Sequence, residues 1–202
     1  MKYEIGVDLD DVLGDFTGSL LKYHNHTYGT NAKREDVKTY DAAGALGISQ
    51  KLNRERIDEF YQTTALEDMP LIDGAKEALT QLKAEGDELY IITARPRPLE
   101  ERTKCYFDSK LPGIFKDVYS SSNHISSVNN INKGEVCVKK GLQAFVEDGL
   151  HYSIQCAERG VIAILLNRPW NQCGGERESK NRFIRVFFWR DIPNTIKRYS
   201  SF

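Results

Sequence analysis

Asp8 and Asp10 stand in the segment Gly6-Val7-Asp8-Leu9-Asp10-Asp11-Val12-Leu13, where a short apolar run from Tyr3 to Val7 gives out. Acidic side chains are poor strand formers, and ionised ones resist burial unless paired or bound to a metal. An acid pair at the end of a buried strand therefore asks for a cation, a proton or a phosphoryl group, although Asp also serves turns and helix N-caps. Alternation along an extended backbone keeps both carboxylates on one side, with Leu9 on the other. Three more polar groups follow apolar runs or precede them: Thr93-Ala94-Arg95-Pro96, Glu147-Asp148-Gly149, and Lys133-Gly134-Glu135-Val136, with Lys139 and Lys140 as neighbouring alternatives to Lys133. Together these residue types suit phosphoryl transfer. Asp8 and Asp148 offer the hard oxygen ligands that Mg2+ takes alongside water and a phosphate oxygen, and the ion offsets repulsion between clustered carboxylates and phosphate. One carboxylate can attack phosphorus; a second, two residues on, can protonate the leaving oxygen and later activate water. A Thr hydroxyl and neighbouring N–H groups can donate to the transferring oxygens while Lys supplies charge.

The elements that must position these residues are strands and helices in alternation. Strands are expected at Tyr3 to Asp8, Glu88 to Thr93, Asp117 to Tyr119, Ala144 to Asp148, Val161 to Leu166 and Ile184 to Phe188. Helices are expected at Asp73 to Glu85, Pro98 to Lys110, Leu150 to Arg159 and Asp191 to Tyr199, with Gly86 and Gly160 as stop signals. Near-continuous apolar strands between helices predict an α/β fold, a Rossmann-like parallel sheet flanked by helices. Ligands of such sheets bind outside the carboxyl ends of the strands, and the polar groups above all lie at or near those ends. One connection breaks the rhythm: roughly eighty residues separate the first two strands, against about 30 for a whole βαβ unit. Its helical signals, Leu20 to Tyr28 and Asn53 to Gln62, predict a helical cap over residues 16–70 inserted into a core of residues 1–15 and 71–202. Gly14 to Phe16 and Met69 to Gly74 would be its hinges.

The motifs Asp8-Leu9-Asp10-Asp11-Val12, Ile92-Thr93-Ala94-Arg95, Lys133 and Glu147-Asp148-Gly149, in that order, resemble the haloacid dehalogenase-like phosphohydrolase superfamily. Within it, the chain looks most like the 5′(3′)-deoxyribonucleotidases, the cytosolic type C nucleotidases. That likeness is carried by Asp10-Asp11-Val12-Leu13 with Phe16, Tyr40-Asp41, Pro70-Leu71-Ile72-Asp73-Gly74-Ala75 and Leu166-Asn167-Arg168-Pro169-Trp170-Asn171. The resemblance implies Asp8 as nucleophile, Asp10 as general acid/base, Thr93 holding the phosphoryl group and Lys133 neutralising it. It implies a Mg2+ site at Asp8, Asp148 and the Asp10 carbonyl, and substrate contacts from Phe16, Thr93, Ala94 and Arg95. Arg95 could reach phosphate or sugar, or pair with a surface acid. Phe16, Tyr23, Tyr40, Phe60 and Tyr61 could stack on a base or form the cap's own core. Glu147 stands where Asp is common in that group.

Composition narrows the field further. A formal net charge of −1 gives no electrostatic reason to expect a long nucleic acid or an anionic membrane. No apolar run approaches the ~18 residues of a spanning helix, and since Met1-Lys2-Tyr3-Glu4 enters a strand at once, a cleaved signal peptide is not expected. Cys105, Cys137, Cys156 and Cys173 form no CxxC pair, so free thiols in the cytoplasm are expected. His24 and His26 lack further ligands nearby and are expected on the surface, while His151 follows the Asp148 loop. The expected partner is a small phosphorylated substrate, with a homodimer left open. Rival readings are the same chemistry on a sugar phosphate or a nucleic-acid terminal phosphate, or a non-catalytic phosphate-sensing module. The latter fits an inserted cap poorly.

Overall fold

The computed structural model describes residues 2–121, 132–172 and 183–199. Six strands form one fully parallel sheet in the order β3-β2-β1-β4-β5-β6: β1 (Glu4–Val7), β2 (Glu88–Thr93), β3 (Phe115–Ser120), β4 (Ala144–Glu147), β5 (Ile162–Leu166) and β6 (Ile184–Val186). Alternate side chains supply two cores, because successive strand residues point to opposite faces. Ile5, Val7, Leu89, Ile91, Val146 and Ile164 pack with α5 (Ala75–Ala84) and α9 (Ile192–Tyr199) on one face. Tyr90, Ile92, Phe145, Ala163 and Leu165 pack with α7 (Lys133–Lys139) and α8 (Leu150–Ala157) on the other. The remaining core helix, α6 (Glu100–Lys110), follows β2.

The expected α/β architecture is therefore present, with shifts at element ends. β6 stops at Val186, and Phe187 and Phe188 are exposed beyond it. β3 is longer than expected because Phe115 already pairs with Leu89. Between β1 and β2 lie α1 (Phe16–Tyr28), α2 (Ala43–Leu46), α3 (Gln50–Tyr61) and α4 (Ala65–Asp68). α1 starts four residues earlier than its apolar pattern suggests, since the Asp15 carboxylate caps it by accepting the Gly18 N–H at 3.1 Å. Leu20, Phe60 and Leu66 form a cluster with Phe16, Tyr23 and Tyr61 around it, and Leu99, from the turn after β2, joins it, so these helices pack together and against the rest of the chain.

His24 overturns its surface assignment: it is buried on α1, against the Tyr28 ring and Thr30. His26 is exposed as expected. Cys105 is an exposed thiol, and Cys137 and Cys156 are buried ones. Among the described residues no helix is long and apolar enough to cross a membrane. The charged run Glu176 to Arg182, which its composition alone would make a solvated surface, lies outside the described residues, as do Cys173, Gly174, Gly175 and His124.

Candidate active site

The strand order reverses between β1 and β4, and a crevice outside the carboxyl ends of the strands is where an open α/β sheet binds its ligand. Val7 pairs with Val146, so Asp8 and Glu147 leave the sheet side by side; the Asp8 N–H donates to the Val146 carbonyl at 2.9 Å. The turn that follows is held at every step. Leu13 and Gly14 N–H both donate to the Leu9 carbonyl at 2.9 Å, and Asp11 N–H donates to the Gly14 carbonyl at 2.7 Å. Asp11 adopts φ +60°, a left-handed conformation that Asp tolerates better than most side chains. Its carboxylate accepts the Thr17 hydroxyl at 2.6 Å and pairs with Arg34 at 2.9 Å, and its carbonyl accepts Arg168 Nε–H at 2.9 Å.

Lys133 opens α7, whose Asn132 cap accepts the Gly134 N–H at 2.9 Å. A glycine is required next to it: a Cβ on Gly134 would fall 2.6 Å from the Gln155 carbonyl of α8. That close approach carries Lys133 inward, where Nζ lies 2.9 Å from Asp8 Oδ1 and 2.7 Å from Glu147 Oε2, over the Tyr152 ring. Glu147 Oε1 accepts the N–H groups of Gly149 at 2.9 Å and Asp148 at 3.2 Å. Asp148 Oδ2 accepts the indole N–H of Trp170 at 2.7 Å. Three buried carboxylates thus cluster, with one ammonium paired to two of them. Burial, and then the neighbouring Glu147, pushes the carboxyls of Asp8 and Asp148 well above the ordinary range. Burial alone would lower Lys133, but Asp8 and Glu147 outweigh it and hold the ammonium above a lysine's usual value.

A second group sits on the neighbouring strand. Thr93 ends β2 and its hydroxyl oxygen accepts the Arg95 N–H at 3.1 Å, which leaves the hydroxyl proton to donate. The Arg95 guanidinium is buried and forks onto Asp10, with Nη2 2.6 Å from Oδ1 and Nε 3.0 Å from Oδ2, while Nη1 donates to Thr103 Oγ1 at 3.3 Å. Asp10, Ala94, Arg95 and Asp148 line a cavity of about 540 Å³. Its far wall includes Phe16 and one face of α3, on which Gln50, Asn53, Arg54, Ile57 and Tyr61 recur at helical spacing. Of the five aromatics considered for stacking, Phe16, Tyr40 and Tyr61 line this cavity; Phe60 and Tyr23 belong to the packed cluster behind it.

Residues 2–131 match the sequence family described as 5′ nucleotidase, deoxy (pyrimidine), cytosolic type C protein. The chain belongs to this family. Along nearly its whole length it is also similar to a protein of Halalkalibacterium halodurans named "Putative nucleotidase", with 28% identity over 188 residues, 92% of this chain and 88% of that one. A like-named protein of Oceanobacillus iheyensis is 22% identical, covering 94% of this chain and 96% of its own. Among solved structures, a haloacid dehalogenase-like hydrolase of Streptococcus pneumoniae superposes with a TM-score of 0.67 at 13% identity, covering 96% of this chain and 98% of that one. A hydrolase of the same superfamily from Deinococcus radiodurans, described with bound phosphate and sodium, has a TM-score of 0.65 at 15% identity, covering 98% and 96% of the two chains.

A member of the type C nucleotidase family is a phosphoric monoester hydrolase with a haloacid dehalogenase-like fold. In this family member the structure brings Asp8, Lys133 and Asp148 into one cluster and sets Asp10, Thr93, Ala94 and Arg95 beside it. Among the described residues, the carboxylate group able to hold a metal ion is Asp8, Glu147 and Asp148, with ligand oxygens within 4.8 Å of one another. The fit to a divalent cation is good on chemical grounds: the donors are hard oxygens, and one lysine leaves the buried acids with excess negative charge. The expected ligand set also includes the Asp10 backbone carbonyl, and the Asp10 carboxylate is separately paired with Arg95. Sequence reasoning did not anticipate Glu147 as the anchor of Lys133, nor Trp170 on Asp148. Arg168-Pro169-Trp170-Asn171 did stand out as a motif, but only as a mark of resemblance. His151 is exposed and touches the Tyr40 and Tyr152 rings at the rim.

Proposed function

We propose that this hydrolase is a Mg2+-dependent 5′(3′)-nucleotidase that dephosphorylates (deoxy)ribonucleoside monophosphates through an aspartyl-phosphate on Asp8. The observation that carries the reading is the cluster of Asp8, Asp148 and buried Lys133 beside a cavity of about 540 Å³, a volume ordinary for a small-ligand pocket. In this reading residues 1–15 and 71–202 form the core, and residues 16–70 form a cap that helps exclude water.

An Asp8 oxygen attacks phosphorus, the ester P–O bond breaks, and the departing nucleoside oxygen takes a proton from Asp10. Asp10 then accepts a proton from water as that water attacks phosphorus, which breaks the Asp8–phosphate bond and releases inorganic phosphate. The Thr93 hydroxyl and the Ala94 N–H donate to the phosphoryl oxygens, and Lys133 balances their charge. Mg2+ held by Asp8, Asp148 and the Asp10 carbonyl would neutralise the charge between nucleophile and phosphate. Phe16, Ile57 and Tyr61 offer an apolar wall for a base, and Gln50 and Asn53 offer amides to its edge. The free thiols Cys105, Cys137 and Cys156 accord with a cytoplasmic location.

The test is phosphate release from a panel of nucleotides and sugar phosphates, with Mg2+ and with EDTA. Turnover of dUMP and dTMP is expected, lost with EDTA and abolished by Asp8→Asn. Rapid turnover of a sugar phosphate with poor turnover of every nucleotide would refute the substrate assignment, and full activity in EDTA would refute the metal.

A further inference from the structure

Trp170 belongs to two parts of the molecule. It follows β5 in a short turn, yet its ring packs into a cluster whose other buried members, Leu21, Val37, Ala42 and Leu46, all come from the helical segment between β1 and β2. Arg34, from the same segment, lays its guanidinium carbon 5.1 Å from the centre of the ring and also ion-pairs with Asp11 and Asp15 in the turn after β1. The indole N–H points the other way chemically, donating to Asp148 Oδ2 at 2.7 Å. The backbone on this side is fixed as well. Asn171 Nδ2 donates to the carbonyls of Asp148 at 2.8 Å and Leu166 at 2.9 Å, and Arg185 donates to Asn171 Oδ1 at 2.7 Å.

We infer that Trp170 is a positioning residue that couples the seating of the helical segment to the orientation of Asp148, so that cation binding and ordering of that segment are thermodynamically linked. The inference rests on the reading of Asp148 as a metal ligand. A carboxylate rotates about its terminal bond, and one fixed donor on Oδ2 leaves Oδ1 aimed for a cation; partners of this kind commonly govern metal affinity. A large ring is a stiff carrier for such a donor, because packing on both faces sets where the N–H can reach. If the Leu21–Leu46 cluster loosens, the ring follows it and Asp148 loses its guide. Linkage makes the effect reciprocal: a cation that favours the guided carboxylate must favour the seated ring by the same factor.

The experiment is calorimetric titration with Mg2+ alone of the wild-type protein, Asp148→Asn, Trp170→Phe and Leu46→Ala, with hydrogen exchange of residues 37–46 measured with and without Mg2+. Wild type should bind and Asp148→Asn should not. Trp170→Phe keeps an aromatic ring in the cluster but has no N–H, and should bind about 10–100-fold more weakly. Leu46→Ala should also weaken binding although it does not touch the carboxylate. Mg2+ should slow exchange at 37–46 in wild type and fail to do so in Trp170→Phe. Wild-type affinity in Trp170→Phe, with Asp148→Asn inactive in binding, overturns the coupling and leaves the metal reading standing. Absence of Mg2+ binding in wild type, or its survival in Asp148→Asn, overturns the metal reading itself. Should Trp170→Phe fail to fold, unchanged exchange at 37–46 in Mg2+-saturated wild type overturns the coupling.

Discussion

The Lys133 ammonium stands 2.9 Å from Asp8 Oδ1, with 1% and 5% of the two side chains exposed. The same nitrogen holds Glu147, so one lysine balances two buried acids. Lys133→Met leaves both carboxylates desolvated without the cation they share. Removing one partner of a buried pair typically costs about 3–5 kcal/mol, because the charge left behind is uncompensated. We expect a loss of that order in urea unfolding, together with loss of phosphatase activity. Glu147→Gln should cost less, because a neutral amide can still accept the Gly149 and Asp148 N–H groups. Native stability in Lys133→Met would show that the acids are not balanced by this lysine.

How much of this was legible beforehand differs from residue to residue, for physical reasons. Asp8 and Asp148 could be found because a parallel sheet writes its strands as unbroken apolar runs, and a carboxylate ending such a run is conspicuous. Lys133 could be found only through its motif, since its burial depends on how closely Gly134 lets α7 approach α8. The pairing of Arg95 with Asp10 spans 85 residues, and that of Trp170 with Asp148 spans 22; both depend on where loops turn after their strands. No local periodicity reports that geometry. His24 was misplaced for a related reason. An HxH pair on a helix shows which residues share a face, but not that the segment after α1 folds back over His24 through Thr30.

The burial of His24 has a consequence for stability. Its Nδ1 lies 2.9 Å from Thr30 Oγ1, whose own proton goes to Asn25 Oδ1 at 2.7 Å, so Nδ1–H is the donor. Burial first, and then Arg56, holds the imidazole below its ordinary value of 6.5. The unfolded chain therefore takes up a proton more readily than the native one. The contribution of neutral His24 is complete above that ordinary value and is lost as pH falls below it, until the native imidazole also protonates. Thermal melts of wild type and His24→Gln from about pH 7 to about pH 5 should show a shallower decline in the variant. Parallel declines would refute the assignment.

Arg95 offers a choice between two roles. Its fork covers both oxygens of Asp10, the geometry of a side chain that aims a carboxylate. A lysine is a single point charge and cannot reproduce it. If Arg95 serves Asp10, Arg95→Lys should lower kcat by up to about 100-fold, the scale of acid/base assistance, with little change in KM. If Arg95 instead grips the substrate phosphate, KM should rise while kcat holds. Steady-state kinetics on one good nucleotide substrate separates the two, and the second pattern would refute the positioning role.

Asn53 carries the strongest hint of what the cavity receives. It is buried on α3, it lines the cavity, and its Oδ1 has no hydrogen-bond partner. A buried acceptor left unsatisfied costs about 1–3 kcal/mol, a cost that a binding site can carry because the ligand supplies the missing donor. Asn53→Leu, similar in size, should therefore raise the melting temperature or leave it unchanged while raising KM for a nucleotide. Phenyl phosphate, which has a ring but no polar edge, should be hydrolysed by the variant as by wild type. An amide that served only the fold would give the opposite pair of results, a lower melting temperature and an unaltered nucleotide KM, because the loss would then fall on packing and not on recognition.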